Sequence, residues 1–582
     1  MRQQYARRTQ ALSGVLGLVA IAIIIQMARI QNSPEAAAFS QQAKNYAYEL
    51  QTFYPDRGEI YDRNGRLLAG NKTVYEVGVD LNTVRDSHAV AFAVSSELDM
   101  NYDQVINAIQ NPPEGLSYIV LADFVETQQA LHLQELKKEL QNQAAEGTLG
   151  GLTGLQFKAH PHRSYPENSL ASNVLGFVTR EGRGYFGIEG KYDTLLAGNA
   201  VQVLVPTDPN KAFEIPHISD GTTLILSINR DLQSAAEQIL DESLSTYGAQ
   251  NGTIIVMDPG NGEVLAMAAS RRMDLNQFWN YDVIYNENNQ FNPAISTPYE
   301  PGSVTKILTM AAALDSGTVT PNTTYLDTGA VLIGGVTIQN WNQKPWGLQS
   351  MVGCLQHSLN VCMVTITSQM GAGIFYNYLN AFGFGHNTGV DLEGEVPGRL
   401  KVPGDSDWYP VDLGTNSFGQ GVTATPIQIM MAVSSIANDG HMVVPHVLHA
   451  MVRDGRQYNV PAQFSSSPVS EATAATLSEM LAISLEAEAS LALVPGYRIA
   501  GKTGTAQIPV DGFYDSTQTN TSFIGWGPVD DPRFMIYVWL ERPSESIWGA
   551  ETAAPVFARM AEKTIILLNI PPDYIRQQLV AQ

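Results

Sequence analysis

The feature that most constrains this chain is its N-terminus. Met1 to Gln10 carries Arg2, Arg7 and Arg8 and no acid, and Ala11 to Ala28 is apolar apart from Ser13 and Gln26. A run of that length approaches a bilayer span. A buried helix of a soluble protein would not explain the lopsided arginine cluster. The basic flank precedes the run, so the positive-inside rule keeps residues 1–10 in the cytoplasm, makes 11–30 a single-pass anchor in the cytoplasmic membrane, and exports the rest. A cleavable signal peptide is the alternative, because Ala36-Ala37-Ala38 resembles a small-residue cleavage site. The apolar run is longer than a usual signal core and Arg29 follows it directly, which favours a retained anchor.

The exported remainder belongs to a chain of 582 residues, enough for two or three domains. Hydrophobic residues make up 44% and charged residues 16%, which excludes disordered and low-complexity classes. A net charge of −23 would repel phosphate backbones, so no nucleic-acid partner is expected. Two cysteines exclude a disulfide scaffold, an iron–sulfur protein and a cysteine-rich zinc module. His160 with His162, or His446 with His449, could pair, but no acidic helix motif accompanies them, so neither metal nor cofactor is expected. Cys354 and Cys362 stand eight apart, about 12 Å on one continuous helix and too far to bridge. They read as two free, buried thiols, although a break between them would permit a bond.

Ala36 to Gln51 looks helical, and Pro55 and Gly58 end it. Glu59 to Asp80 alternates strand-like runs around the turn Asp62-Arg63-Asn64-Gly65, and Phe124 to Asn142, with Leu131, Leu133, Leu136 and Leu140, suits a surface amphipathic helix. From Gly147 to Gly221 glycines and prolines punctuate short segments, as in a loop-rich mixed domain. Character changes near Asp231. Leu232 to Tyr247 reads as a helix, and Thr253–Asp258 and Glu263–Ala268 form a hairpin across Pro259-Gly260-Asn261-Gly262. Ser522–Trp526 and Phe534–Leu540 make a second hairpin, and Thr552 to Leu568 a closing helix. Strands at both ends of a long helix-rich stretch imply an antiparallel sheet beside a helical lobe, with a cleft between them for chemistry.

Tyr299-Glu300-Pro301-Gly302-Ser303-Val304-Thr305-Lys306 leads into an apolar helix, and Ser303 and Lys306 share one helix face. A serine hydroxyl is a poor nucleophile until a base takes its proton, and an uncharged lysine one turn away supplies such a base. Alone this pair is weak, since roughly one match arises by chance in a chain this long. Two further elements change that: Ser358-Leu359-Asn360, then Lys502-Thr503-Gly504-Thr505 in the strand-like stretch Arg498 to Ile508. Between residues 250 and 560 the lysines are Lys306, Lys344, Lys401 and Lys502, and half of them sit in these motifs. Gly504 removes a side chain where a substrate backbone must approach.

Ser-x-x-Lys, Ser-x-Asn and Lys-Thr-Gly in this order resemble the signature of penicillin-binding proteins and serine β-lactamases. Within that superfamily the chain resembles class B penicillin-binding proteins. Arg57-Gly58-Glu59-Ile60-Tyr61-Asp62-Arg63-Asn64-Gly65, Arg163-Ser164-Tyr165-Pro166 and Gly187-Ile188-Glu189 look like pedestal motifs. Ser417-Phe418-Gly419-Gln420-Gly421, Thr425-Pro426 with Gln428, and Gly501 to Gln507 fit the transpeptidase domain. Met273-Asp274-Leu275-Asn276 departs from the Asp-Pro-Asn of many members, which puts that loop in question. The resemblance implies an α+β transpeptidase domain at 231–570, an antiparallel sheet plus helical lobe, on a mixed α/β pedestal at 31–230, with one N-terminal transmembrane helix and a tail at 571–582.

It also implies an acyl transfer on peptidoglycan stem peptides with release of D-alanine. Ser303 would be the nucleophile, Lys306 the general base and Ser358 the proton relay. Asn360 would bind the donor backbone, Thr503 and Thr505 the terminal carboxylate, Lys502 would supply positive potential, and the N–H groups of Ser303 and Thr505 the oxyanion hole. Burial and the second cation, Lys502, would lower the pKa of Lys306. β-Lactams would acylate the same serine. A β-lactamase would need a deacylating base that no Glu-rich loop supplies, and a β-lactam sensor would need a cytoplasmic output larger than residues 1–10. No glycosyltransferase domain fits beside the pedestal, so a SEDS-family polymerase and other cell-wall or division membrane proteins are the implied partners. Asn360 in Ser-Leu-Asn and the run from Ser417 to Gly440 look more like the septal branch than the elongation branch.

Overall fold

The computed structural model describes residues 2–33, 36, 48–53, 55–143, 151–206, 219–286, 290–488, 490–510 and 513–580. The chain forms two compact units, one of residues 1–56 and 198–221, the other of residues 57–197 and 222–582. In the first, Arg2–Gln31 is one continuous helix whose Ala11–Gln31 portion has a mean hydropathy of 2.3 and no buried residues, long and apolar enough to cross a membrane. Strand Tyr48–Phe53 pairs antiparallel with Val201–Pro206. The helix anticipated over 36–51 therefore does not extend to its end. Most of that range lies outside the described residues, and from Tyr48 a partner strand distant in sequence overrides the local helical pattern.

The second unit begins with a sheet that crosses position 230. Strands Ile60–Tyr61, Leu67–Asp80, Tyr118–Glu126 and Leu155–Ser164 continue through Thr223–Leu226 into Leu448–Arg453 and Arg456–Asn459. The three pedestal motifs converge. Glu189, fully buried, accepts from Arg57 Nε at 2.7 Å and from Arg163 Nε at 2.6 Å. Asp62, also buried, accepts from the N–H groups of Asn64 and Arg66 at 2.9 and 2.8 Å and from that of Arg230 at 3.2 Å, tying its turn to the helix that opens the catalytic half. The amphipathic helix runs Thr127–Gln143 and buries Ala130 and Leu133, but Leu131 points to solvent because it stands two residues before Leu133, on the opposite side of the helix. At Met273–Asn276, the loop put in question by its departure from Asp-Pro-Asn, Leu275 is buried and Asn276 clamps Tyr165, accepting from its N–H at 3.0 Å and donating to its carbonyl at 2.9 Å.

The catalytic sheet has five antiparallel strands: β1 (Asn251–Met257), β2 (Val264–Ala269), β3 (Ala500–Val510), β4 (Phe513–Gly527) and β5 (Phe534–Glu541), in the order β2-β1-β5-β4-β3. Both hairpins read from the sequence are present. Side chains alternate across the pleat. Ile254, Val256, Phe523, Ile536 and Val538 pack against Leu232, Ala236 and Leu240 of α1 (Arg230–Tyr247) and Val556, Phe557 and Met560 of the closing helix Ala553–Leu567. Ile255, Met257, Ile524, Tyr537 and Trp539 face the helical lobe, whose central helix α2 (Lys306–Asp315) is mostly apolar and buried from Lys306 to Ala313. Within the C-terminal tail Asp573–Val580 is helical, and Arg576, nearly buried, pairs with Asp530 and Asp573.

Candidate active site

A tight turn carries Ser303. Gly302–Thr305 forms a 3-10 turn that passes directly into α2, leaving Ser303 half-buried one turn before Lys306. Gly302 has φ +61, a left-handed conformation that favours glycine. Its N–H donates to the Gly419 carbonyl at 3.0 Å, and Thr309 Oγ1 donates to the Ser417 carbonyl at 2.8 Å, so the Ser417–Gly421 motif supports this turn from behind. A Cβ on Gly302 would lie 2.9 Å from both the Thr505 carbonyl oxygen and the Ala506 Cβ. The serine turn is thus packed against β3, the edge strand that holds Lys502 to Thr505. The empty side of Gly504 faces Ser522 Oγ and Val304, not the groove, so its role is to let strand and serine turn pack.

Lys306 is completely buried, and its Nζ donates to three acceptors: the Ser358 carbonyl at 2.6 Å, Ser358 Oγ at 3.0 Å and Asn360 Oδ1 at 2.7 Å. Burial, then the charge of Lys502, hold its pKa well below the ordinary lysine value. Lys502 is buried too, donates to Thr503 Oγ1 at 3.1 Å, and is lowered by burial to about 8, with Glu488 opposing the shift. Thr503 and Thr505 lie two apart on one face of β3 and are half-buried. The site-forming segments from three distant parts of the sequence are therefore brought to one place.

Ser358 sits in a break between helices α3 (Met351–Gln356) and α4 (Asn360–Met370) with φ +51. That break corrects the reading of the cysteines as free thiols. Cys354 and Cys362 form a disulfide with a Cα–Cα distance of 6.1 Å, because the chain breaks at Ser358 instead of continuing as one helix. Other contributors carry no local signal in the sequence. Gly549 N–H donates to Thr505 Oγ1 at 3.0 Å, Asn360 Nδ2 donates to the Gln339 carbonyl at 3.2 Å, and Asn340 Oδ1 accepts from the N–H of Val361 at 3.1 Å. Trp341 donates its Nε1–H to the His357 carbonyl at 3.1 Å and meets Trp548 edge-to-face at 5.4 Å. Each of these lies far along the chain from the residue it supports.

A serine one turn before a buried lysine of lowered pKa, itself bonded to a second serine, is the equipment of a serine acyltransferase. Comparison with known proteins narrows the class. A model of the penicillin binding protein transpeptidase domain matches residues 252–562, and one of the penicillin-binding protein dimerisation domain matches residues 52–214. The chain is 31% identical to stage V sporulation protein D of Bacillus subtilis (strain 168), over 89% of this chain and 79% of that protein. It is 26% identical to a peptidoglycan D,D-transpeptidase FtsI homolog of Mesostigma viride, over 90% of each. Among solved structures, penicillin binding protein 3 of Mycobacterium tuberculosis complexed with aztreonam matches with a TM-score of 0.68 and 26% identity, covering 90% of this chain and 98% of that one. The chain belongs to the penicillin-binding protein transpeptidase family and, with its dimerisation domain, is a class B member, a monofunctional peptidoglycan D,D-transpeptidase of cell-wall synthesis.

Proposed function

We propose that Ser303 is the acylated nucleophile and Lys306 its general base. The observation that carries this is the threefold contact of Lys306 with Ser358 and Asn360 behind the serine turn. As a neutral amine Lys306 keeps two N–H groups, enough for Asn360 and the Ser358 carbonyl, and gains a lone pair for the Ser303 proton. Ser303 Oγ then adds to the carbonyl between the last two D-alanines of a stem peptide, and the Lys306 amine takes its proton. When the C–N bond breaks, Ser358, the one acceptor with a proton of its own, passes a proton to the departing D-alanine and is replenished from Lys306. The N–H groups of Ser303 and Thr505 hold the oxyanion. Thr503 and Thr505 bind the donor carboxylate under the charge of Lys502, with Gly504 shaping the strand between them, and Asn360 binds the donor backbone. An amine from a neighbouring strand attacks the ester, forms the cross-link and returns the serine proton.

The pedestal, 31–230, holds the transpeptidase domain, 231–570, outside the cytoplasmic membrane, with residues 1–10 inside and 11–30 as anchor. Glycan strands come from a SEDS-family partner alongside other division proteins, and the septal branch is favoured by the Ser-Leu-Asn form of the second motif. The full chain, purified from membranes, should bind a fluorescent penicillin covalently, with the adduct on Ser303 by mass spectrometry. Label on Ser358, or none, removes the assignment. Intact mass of the same sample should include residues before Ala36, and a fluorescent fusion should gather at the septum.

A further inference from the structure

We propose that the Cys354–Cys362 disulfide is a positioning device for catalysis: it holds the Ser358–Asn360 turn against Lys306. The inference rests on the catalytic reading of Lys306 and Ser358 given above. Its basis is where the bond sits. The two cysteines lie four residues before Ser358 and four after it, one in α3 and one in α4, and both are completely buried. The bond therefore closes a small loop around the whole second motif.

What lies inside that loop needs holding. Ser358 has φ +51, a conformation that L residues other than glycine adopt at a cost. Only with that kink do its carbonyl and its hydroxyl both face Lys306 Nζ, at 2.6 and 3.0 Å, while Asn360 Oδ1 reaches the same nitrogen from the start of α4. While Lys306 is a cation, three charge-assisted hydrogen bonds keep the turn in place. In the catalytic cycle the amine is neutral before it takes the serine proton, and those bonds weaken when the geometry matters. A covalent clasp does not depend on the charge of Lys306. The turn is also tied by single hydrogen bonds, among them Ser358 N–H to the Leu355 carbonyl at 3.2 Å, Leu359 N–H to the Cys354 carbonyl at 3.0 Å, Val361 N–H to Asn340, Asn360 Nδ2 to Gln339 and Trp341 to the His357 carbonyl, and by the His357 ring stacked on Trp346, none of them covalent.

The test uses the full chain in detergent, with stopped-flow acylation by a fluorescent penicillin over a range of concentrations. Alkylation followed by mass analysis of the unreduced enzyme should find no free thiol, and Cys354→Ala with Cys362→Ala should lower the limiting acylation rate by about tenfold to a hundredfold, as for a misplacement of a catalytic group by a fraction of an ångström. Penicillin affinity and the fraction of molecules that label should stay near wild type. Reducing the wild type with a phosphine should reproduce the slow rate, and reoxidation should restore it, while the double variant responds to neither. Two free thiols in fully active enzyme overturn the proposal. So does a wild-type rate constant in the double variant, or a loss confined to the labelled fraction, which marks unfolding. Failure of Ser303 in the oxidised wild type to take any label sinks the catalytic reading, and the positioning role with it.

Discussion

Burial demands opposite things of the two lysines. In the proposed mechanism Lys306 works uncharged, and its complete burial beside Lys502 favours that form. Lys502 is proposed to work as a cation, yet burial lowers it to about 8, with Glu488 pulling the other way. Lys306→Ala should therefore cut acylation roughly 10²–10⁴-fold, the usual worth of general-base catalysis. Lys306→Arg should fare no better, because a guanidinium keeps its proton. Lys502→Arg should retain part of the activity and Lys502→Ala much less, with affinity falling alongside rate. The pH profile has a sign at each end. Rate rises as Lys306 loses its proton on the acid side and declines as pH passes about 8 and Lys502 loses its charge. Acylation rates against pH and penicillin concentration check both limbs, and equal tolerance of arginine at the two positions would sink this division of labour.

At the scale of elements, the site depends on how closely the serine turn approaches β3. Gly302→Ala would place a methyl 2.9 Å from Thr505 O and Ala506 Cβ, on a backbone with φ +61. The strand and turn must separate, so acylation should fall about a hundredfold by misplacement and stability by about 1–3 kcal/mol from the strained conformation. Thermal melting and acylation rate measure the two effects separately, and a variant that acylates at the wild-type rate would refute the packing argument. The motif spacing and the glycine were legible in the sequence. That Gly504 serves internal packing was not, because it follows from the neighbours that the strand and the serine turn bring to it.

The larger unit is continuous from pedestal to catalytic half. One sheet carries strands from both, and Asp391 accepts from Tyr192 Oη at 3.1 Å and from the N–H groups of Val447 and Leu448 at 2.6 and 2.8 Å. Glu189 is the charge at the centre of the pedestal motifs. Glu189→Ala would leave buried Arg163 without a carboxylate and Arg57 with Asp193 alone, a loss of about 3–5 kcal/mol for a broken buried pair. Denaturant unfolding of the full chain should show that loss, and unchanged stability would mean that the arginines find water or other acceptors. The effect on acylation should follow stability and not chemistry, since Glu189 bonds to no residue assigned to the site.

The sequence by itself determined the apolar N-terminal segment, the two hairpins, the closing helix and the three motifs, because each rests on local period, turn chemistry or a short spacing. Only the tertiary structure decided which distant groups meet: three acceptors around Lys306, Gly549 on Thr505, Gly419 behind Gly302, and Arg57 and Arg163 on Glu189. It also decided that Cys354 and Cys362 are bonded, and that Tyr48–Phe53 is a strand. The physical reason is the same in each case. A helical break or a strand partner is set by hydrogen bonds to residues far along the chain, and no periodicity in the local sequence records them.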